Sequence, residues 1–290
     1  MPGLHDRTPH LKELGEFLRT RRDALTPEIV GLPTALGQRR VTGLRREEVA
    51  QLVNISSDYY TRVEQGRLAP SAPVLDSLVD ALRLDADQGD YARSLVAHAT
   101  APASLAPARS RQGSGRARVR PQLQRLLDQL TDTPAIVLGP RTDVLAWNEL
   151  ARRLYVDFDA LPASELNYVR LVFTHPEMRD LFDDWPSVAR SCVAILRREA
   201  AANPADPQLS ALVGELTIVD RQFGQWWAAR NVARQDFGTK TMHHPVVGEL
   251  TLDWDIFIYS GEHTQQLILN SAEPDSPTQE RLRRLMTGAD

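Results

Sequence analysis

Cysteine is almost absent: the 290 residues include only Cys192. One thiol cannot form an intrachain disulfide, so no disulfide framework stabilises this fold, and a reducing compartment fits. The N-terminal residues lack the apolar stretch of a secretory signal, and no apolar run reaches the length that spans a bilayer. These absences predict a soluble, cytoplasmic protein that does not enter a membrane.

Lysine is also scarce, because only Lys12 and Lys240 occur and arginine supplies almost all of the 34 basic residues. The net charge of −4 is unevenly distributed. Residues 101–125 carry six arginines and no acidic residue, whereas residues 126–290 carry 24 acidic and 15 basic residues. The first half is therefore the part of the chain expected to meet a polyanion.

Metal-binding motifs are missing as well. The sequence has no H-E-x-x-H and no paired cysteines. His243 and His244, combined with His175 or His263, come closest to a metal-ligand set. Adjacent residues on a strand point to opposite faces, so these two histidines are poorly placed to share one ion. No metal site is predicted.

The apolar pattern divides the chain into three parts. Residues 1–99 contain five segments with helical spacing. Residues 100–121 have no apolar period and are rich in Ala, Pro, Ser, Gly and Arg, which is typical of a linker. Residues 122–290 contain two strand patterns around a Gly-Pro turn, several helices, and three further strand patterns. The predicted fold class is α+β multidomain: an all-α five-helix N-terminal domain followed by an α+β domain with an antiparallel sheet.

The segment GLRREEVAQLVNISSDYYTRVEQGRLAPS, residues 43–71, indicates two short helices joined by a tight turn. Ala50 is small enough for the second helix to cross closely over the first. Asn54 tolerates the positive φ that such a turn requires. Ser56 can cap the second helix, and Gly66 can end it. This pattern predicts a helix-turn-helix, whose second helix can enter the major groove of DNA.

The stretch RREEVAQLVNISSDYYTRVEQG resembles the lambda-repressor-like (Xre-type) helix-turn-helix family. The similarity covers residues 11–99 and includes the E-x-G of Glu64-Gln65-Gly66. The family has Ser or Thr where Arg45 stands, so the loss of this helix cap is expected to cost about 1 kcal/mol. The resemblance implies that the protein binds a double-stranded DNA operator. A helix-turn-helix of this size binds as a homodimer on two half-sites.

Carried over position by position, the resemblance implies two groups of DNA contacts. Arg62 can pair with guanine and Asp58 can accept a hydrogen bond from cytosine, although at i and i+4 they could instead only pair with each other. The base-reading candidates are Ser57, Asp58, Thr61 and Arg62, and the phosphate candidates are Arg39, Arg40, Arg46, Tyr59 and Arg67. The linker arginines either add phosphate attraction or are merely solvated: Arg109, Arg111, Arg116, Arg118 and Arg120.

The second half resembles the MmyB-like ligand-binding domain family through four stretches: DVLAWNELARRLY, NYVRLVFTHPEMRDLFDDW, FGQWWAARNV and HHPVVGELTLDWD. The resemblance implies a PAS-like fold, an antiparallel sheet with helices packed around a cavity. It also implies a sensor for a small apolar effector, with a bound fatty acid or similar lipid as the family precedent and no other cofactor.

An apolar effector needs an apolar cavity with a few polar groups at its mouth. The aromatic candidates are Trp147, Phe173, Trp226, Trp227, Trp254 and Phe257, and the candidates to meet a carboxylate are Arg170, His175, Arg230, His243 and His244. Aromatic residues at helix and strand spacing also serve as plain core. Asn148 has the alternative role of capping the helix that follows its strand.

Two other functions remain open at this point. An enzyme fused to a DNA-binding domain would need a nucleophile, and a Ser-Lys dyad would have to use Lys240. The linker offers no self-cleavage site of the Ala-Gly type, and Cys192 lies in an apolar helical stretch. The third reading is a C-terminal domain that only dimerises or docks a protein partner. The residues favour a transcriptional regulator that is not an enzyme.

Overall fold

The computed structural model describes residues 8–33, 42–101, 119–230, 232, 237–258 and 265–288. The chain forms two compact units. The first unit comprises Met1–Ser110, Arg197–Pro207 and Trp227–Ala233, and the second comprises Arg111–Leu196, Gln208–Trp226 and Arg234–Asp290.

The N-terminal part of the first unit consists of five helices, as the apolar spacing predicted. They are α1 (Thr8–Ala24), α2 (Arg46–Leu52), α3 (Ser57–Glu64), α4 (Ala72–Ala81) and α5 (Ala86–Thr100). Their apolar stripes meet in one core, in which Phe17, Val63 and Leu95 are fully buried. Because every helix contributes to this core, burial of apolar surface holds the five short helices together.

The turn between α2 and α3 has the geometry that its residues predicted. Asn54 adopts φ 55°. The Ser56 hydroxyl accepts a hydrogen bond from the Tyr59 backbone N–H at 3.1 Å and so caps α3. Gly66 adopts φ 68° and follows the end of α3. Ala50 is buried beneath this crossing.

The start of α2 lacks the side-chain cap that the helix-turn-helix pattern usually supplies. Arg45 occupies the N-cap position, and its donor-only guanidinium cannot accept a backbone hydrogen bond. The Glu48 carboxylate instead accepts the Arg45 backbone N–H at 2.7 Å. Of the two hydrogen bonds of a capping box, the one from the N-cap backbone to the Glu48 side chain is therefore present. It partly offsets the missing serine or threonine.

The C-terminal part of the chain combines helices with a sheet. The helices are α6 (Pro121–Gln129), α7 (Glu149–Leu154), α8 (Tyr168–Thr174), α9 (Pro176–Leu181), α10 (Trp185–Ala202), α11 (Pro207–Val219), α12 (Arg221–Ala228) and α13 (Pro277–Thr287). The strands are β1 (Ala135–Leu138), β2 (Val144–Trp147), β3 (Phe237–His244), β4 (Gly248–Ile258) and β5 (Gln266–Ser271). Asn148 caps α7 and Ser276 caps α13.

The five strands form one antiparallel sheet in the order β2-β1-β5-β4-β3. The helices α7 to α12 are inserted between β2 and β3, and this antiparallel sheet with its helices confirms the predicted α+β class. One face of the sheet packs on α6 through Leu127, Val137 and Leu267. The register assigns the other face to Trp147, Ile136, Trp254 and Lys240, because residues directly opposite in neighbouring strands share a face.

No helix in the described residues is long and apolar enough to cross a membrane.

Candidate DNA-binding and ligand-binding sites

Helix α3 has one buried and one exposed face. Tyr60 and Val63 are fully buried in the core, whereas Ser57, Asp58 and Arg62 are exposed. Within the described part of the chain, neither the Asp58 nor the Arg62 side chain makes a hydrogen bond or ion pair. The arrangement in which these two side chains only pair with each other is therefore not the one found. Both are free to meet base edges.

A buried charge network fixes α3 in place. The Glu64 carboxylate accepts hydrogen bonds from Arg22 Nε at 2.8 Å and from Arg46 Nε at 2.8 Å. Burial raises the pKa of the Glu64 carboxyl, but the hydrogen bonds and charges of Arg22 and then Arg46 outweigh burial and hold it below its usual value. Arg22 also donates to the Leu44 carbonyl at 2.6 Å. The network joins α1, α2 and α3 and so orients the exposed face of α3.

The predicted phosphate contacts occupy different environments. Arg46 pairs with Glu64, although its side chain remains 43% exposed. Arg67 is exposed and, among the described residues, has no partner. Tyr59 packs half-buried against the core, and Thr61 is half-buried on α3. Arg39 and Arg40 lie outside the described residues, as do Arg109, Arg111, Arg116 and Arg118.

The predicted aromatic residues of the helices form a packed cluster in the second unit. The Phe173 ring lies edge-on to Trp185 at 5.5 Å, to Phe223 at 5.1 Å and to Trp226 at 6.3 Å between centroids. The indole N–H of Trp185 donates to the Val172 carbonyl at 2.9 Å. Phe173 and Trp226 therefore contribute to a core in which aromatic edges and faces are matched.

The predicted aromatic residues of the sheet are divided between its faces. Trp147 lies 5.0 Å from Phe158 between ring centroids, and its register places it on the same face as Trp254. Trp254 packs over Gly238, where a Cβ would lie 3.1 Å from the indole nitrogen. Phe257 is on the opposite face and is 53% exposed.

Most of the predicted carboxylate-binding side chains already have partners. Arg170 forms a bidentate pair with Glu215 at 2.6 and 2.9 Å. His243 Nε2 lies 2.8 Å from Asp183, and His244 Nε2 lies 2.9 Å from the Arg153 carbonyl. In contrast, His175 Nδ1 is buried and has no hydrogen-bond partner within the described residues.

Trp227 and Arg230 belong to the first unit rather than the second. The Arg230 guanidinium pairs there with Glu16 and lies 3.4 Å from Glu13. The Trp227 ring lies 4.1 Å below the Arg197 guanidinium. These two predicted ligand residues are therefore assigned to a different unit from Trp147, Phe173, Trp226 and Trp254.

Lys240 is a polar group that the prediction of ligand contacts did not include. Its ammonium donates to the Tyr155 hydroxyl at 2.9 Å, and the Tyr155 and Phe182 rings lie 5.3 and 5.7 Å from Nζ. Burial lowers the pKa of Lys240 to about 7, slightly opposed by Cys192. The two-residue period of β3 was the signal for this position, because the buried Met242 shares its face.

Cys192 and Lys240, the two groups considered for nucleophilic catalysis, have different environments in the described residues. Burial raises the pKa of the Cys192 thiol to about 12, so the thiol is protonated at neutral pH. Lys240 hydrogen-bonds to Tyr155 and to no serine among the residues described. Across that same part of the chain, no three His, Cys, Asp or Glu side chains are grouped as a metal site.

A surface groove of about 360 Å³ lies between the sheet and the N-terminus of α13. It is lined by Thr239, Glu249, Thr251, Asp253, Glu273, Ser276, Pro277, Thr278 and Arg281. This lining is polar and includes none of the predicted ligand residues, so the groove does not suit an apolar effector.

Two family models match separate stretches of the chain. Residues 13–91 match a helix-turn-helix domain, and residues 119–285 match the MmyB-like transcription regulator ligand binding domain. No curated protein matches the chain. An exposed α3 held by a helical core, followed by a ligand-binding domain with a five-stranded antiparallel sheet, defines a DNA-binding transcription regulator. The chain belongs to the MmyB-like transcription regulator family.

Proposed function

We propose that this protein is a cytoplasmic homodimer that binds operator DNA through α3 and changes its DNA affinity when the C-terminal domain binds a small apolar effector such as a fatty acid. One observation supports DNA binding by α3. The side chains of Asp58 and Arg62 are exposed and have no partner in the described structure, and the opposite face of the helix is buried. Arg62 can donate two hydrogen bonds to guanine O6 and N7, and Asp58 can accept from the cytosine amine.

The homodimer follows from the size of the reading head. One α3 contacts only a few base pairs, so two copies on adjacent half-sites are needed for useful specificity. Arg67, exposed and unpaired in the described structure, can add a phosphate contact that fixes the register of each head. Arg46 can add another only while it also holds Glu64.

The effector part rests on the family and on the composition of the second unit. An aromatic cluster and the sheet face with Trp147 and Trp254 supply apolar surface. The effector shifts DNA affinity only through a difference in its own affinity for the two states of the protein. Arg170, His243 and His244 are already paired, so His175 remains the predicted side chain with an open polar atom.

Substitution of Arg62 tests the base contact. An operator is first selected from random-sequence duplexes, and Kd is measured by fluorescence anisotropy on the selected and on an unrelated duplex. Arg62→Ala is expected to weaken binding to the operator by about 1–3 kcal/mol, while binding to unrelated DNA changes far less.

The matched control is Arg283→Ala, which removes the same charge from an exposed position on α13. It should leave both affinities unchanged. Equal losses on the two duplexes in Arg62→Ala would mean that Arg62 contacts phosphate and reads no base.

A further inference from the structure

The ammonium group of Lys240 has no carboxylate partner among the described residues. No acidic side chain contacts it among the residues that the structure describes, and its only hydrogen bond is to the Tyr155 hydroxyl. Buried cations are normally paired, because an unpaired buried charge is costly. No anion in the described fold pairs with this charge, and burial therefore lowers the pKa of Lys240 to about 7, so the group is easily neutralised while no partner is bound.

Lys240 is a polar group surrounded mainly by apolar side chains. Phe182, Cys192, Met242 and Leu252 are all buried around it or beside it on the sheet. Lys240 and Tyr168 each keep part of their surface accessible, although burial lowers the pKa of Lys240 and raises the pKa of Tyr168. Lys240 and Tyr168 are thus partly accessible side chains whose charged forms are disfavoured by burial.

Lys240 and Tyr168 have hydrogen-bond donors that no described residue uses. Tyr155 accepts from Lys240 and donates to Asn270 Oδ1 at 3.0 Å, so its proton is already committed. Asn270 is fully buried, which fixes Tyr155 in this role. Lys240 keeps two of its three ammonium donors. The Tyr168 hydroxyl makes no hydrogen bond to any described residue, and its ring lies 6.2 Å from that of Tyr155.

We propose that Lys240 and Tyr168, oriented by Tyr155 and Asn270, form the head-group site that binds the carboxylate of an apolar acid inside the second unit. This inference rests on the proposed effector function and assigns its polar contact. The ammonium of Lys240 supplies the opposite charge, and the hydroxyl of Tyr168 supplies a further donor to the two carboxylate oxygens. Lys240 replaces the predicted Arg170, His243 and His244 as the group that meets the acid.

Binding at this site is coupled to a proton. Tyr155 contacts Lys240, Cys192 acts on its pKa, and Tyr168 lies beside Tyr155. All three are neutral near pH 7, and no charged side chain contacts Lys240 in the described structure. An empty site therefore holds a largely neutral amine above pH 7. An arriving carboxylate favours the ammonium form, so the complex takes up one proton from solvent as the ion pair forms.

The test compares two probes of equal chain length, dodecanoate and dodecanol, on delipidated full-length protein. Kd is measured by the change in tryptophan fluorescence. The wild type should bind dodecanoate at least tenfold more tightly than dodecanol, and Lys240→Met should abolish that preference. Lys12→Met is the matched control, because Lys12 is the other lysine and is exposed on α1. It should keep the preference.

Proton uptake provides a measurement that needs no variant. Calorimetric titration of the wild type with dodecanoate, in two buffers of different ionisation enthalpy, should show uptake of about one proton at pH 8 and much less at pH 6. If circular dichroism shows that Lys240→Met does not fold, proton uptake by the wild type tests the head-group site instead.

The outcomes separate this inference from the function on which it rests. Equal affinities for acid and alcohol in the wild type, or an acid preference that survives in Lys240→Met, would overturn the head-group site and leave the effector sensor standing. No binding of either probe to the wild type would count against both.

Discussion

Glu64 connects the sequence motif to the geometry of DNA reading. It lies in the E-x-G that follows the recognition residues, and its side chain is only 1% exposed between Arg22 and Arg46. A carboxylate in this position pairs with both guanidinium groups, of which Arg22 also lies 2.8 Å from Asp23. Glu64, next to the exposed face of α3, is thus a structural charge, whereas the side chains of Asp58 and Arg62 on that face have no partner among the described residues.

Glu64→Gln is expected to destabilise the N-terminal unit by about 3 kcal/mol, since a buried ion pair loses one partner. Hydrogen exchange of peptides from α3 measures this loss. The control Glu47→Gln removes an exposed carboxylate on the same α2–α3 motif and should cost less than about 0.5 kcal/mol.

The same network predicts a dependence on pH. The folded pKa of Glu64 lies below its unfolded value, so its stabilisation is complete above the unfolded pKa and is lost as pH falls through the folded pKa. The difference between wild type and Glu64→Gln should therefore shrink in acid. A difference that stays constant down to the folded pKa would contradict the ion-pair account.

At the scale of elements, helix α3 can approach α1 closely because glycine stands at both contact points. A Cβ on Gly66 would lie 2.8 Å from the Lys12 backbone, and its φ of 68° is unfavourable for any other residue. A Cβ on Gly15 would clash with the Glu64 carbonyl. The close contact between α1 and α3 therefore requires residues without a Cβ atom at both Gly15 and Gly66.

Gly66→Ala should destabilise the α1–α3 contact by at least about 1–2 kcal/mol through the positive φ alone, with the clash added to it. Gly214→Ala is the control, and it is expected to change the free energy of unfolding in the opposite direction. Gly214 lies within α11 with open space around its Cβ position, so alanine there should stabilise the helix by about 0.5–1 kcal/mol. Peptides from α3 and α11 report the two changes in one hydrogen-exchange experiment, and equal signs would refute this reading of the glycines.

The elements with clear periodicity were predictable, and the short ones were not. The five N-terminal helices, the five strands and the caps at Ser56 and Asn148 followed from spacing and local hydrogen bonding. Helix α6 was missed because its few turns adjoin the arginine-rich linker. Helix α9 was missed because it is only six residues long, from Pro176 to Leu181.

The ligand candidates show a different limit of sequence reasoning. Residue type alone favoured arginine and histidine as anion contacts, but the fold gives Arg170 and His243 acidic partners. Arg230 lies in the first unit with Glu13 and Glu16. Such pairings join residues far apart in the chain, so no local pattern reveals them. Lys240 was within reach, since the alternation of β3 places it beside Met242 on the buried face.

At the scale of the whole molecule, the two functions must be linked, because a regulator responds only if the effector and the DNA affect each other's binding. Linkage is reciprocal: an effector that changes operator affinity by some factor is itself bound with an affinity changed by that factor when the operator is present. Two domains that bind their ligands independently would show no such factor.

The most direct measurement is therefore the operator Kd of the full-length, delipidated protein, by fluorescence anisotropy, with and without saturating dodecanoate and with saturating dodecanol as the control. The account predicts that dodecanoate changes Kd by about fivefold or more, the lower range of allosteric coupling, and that dodecanol does so less. An operator Kd that is identical in all three conditions, although dodecanoate is bound, would contradict the claim that this protein is an effector-controlled regulator.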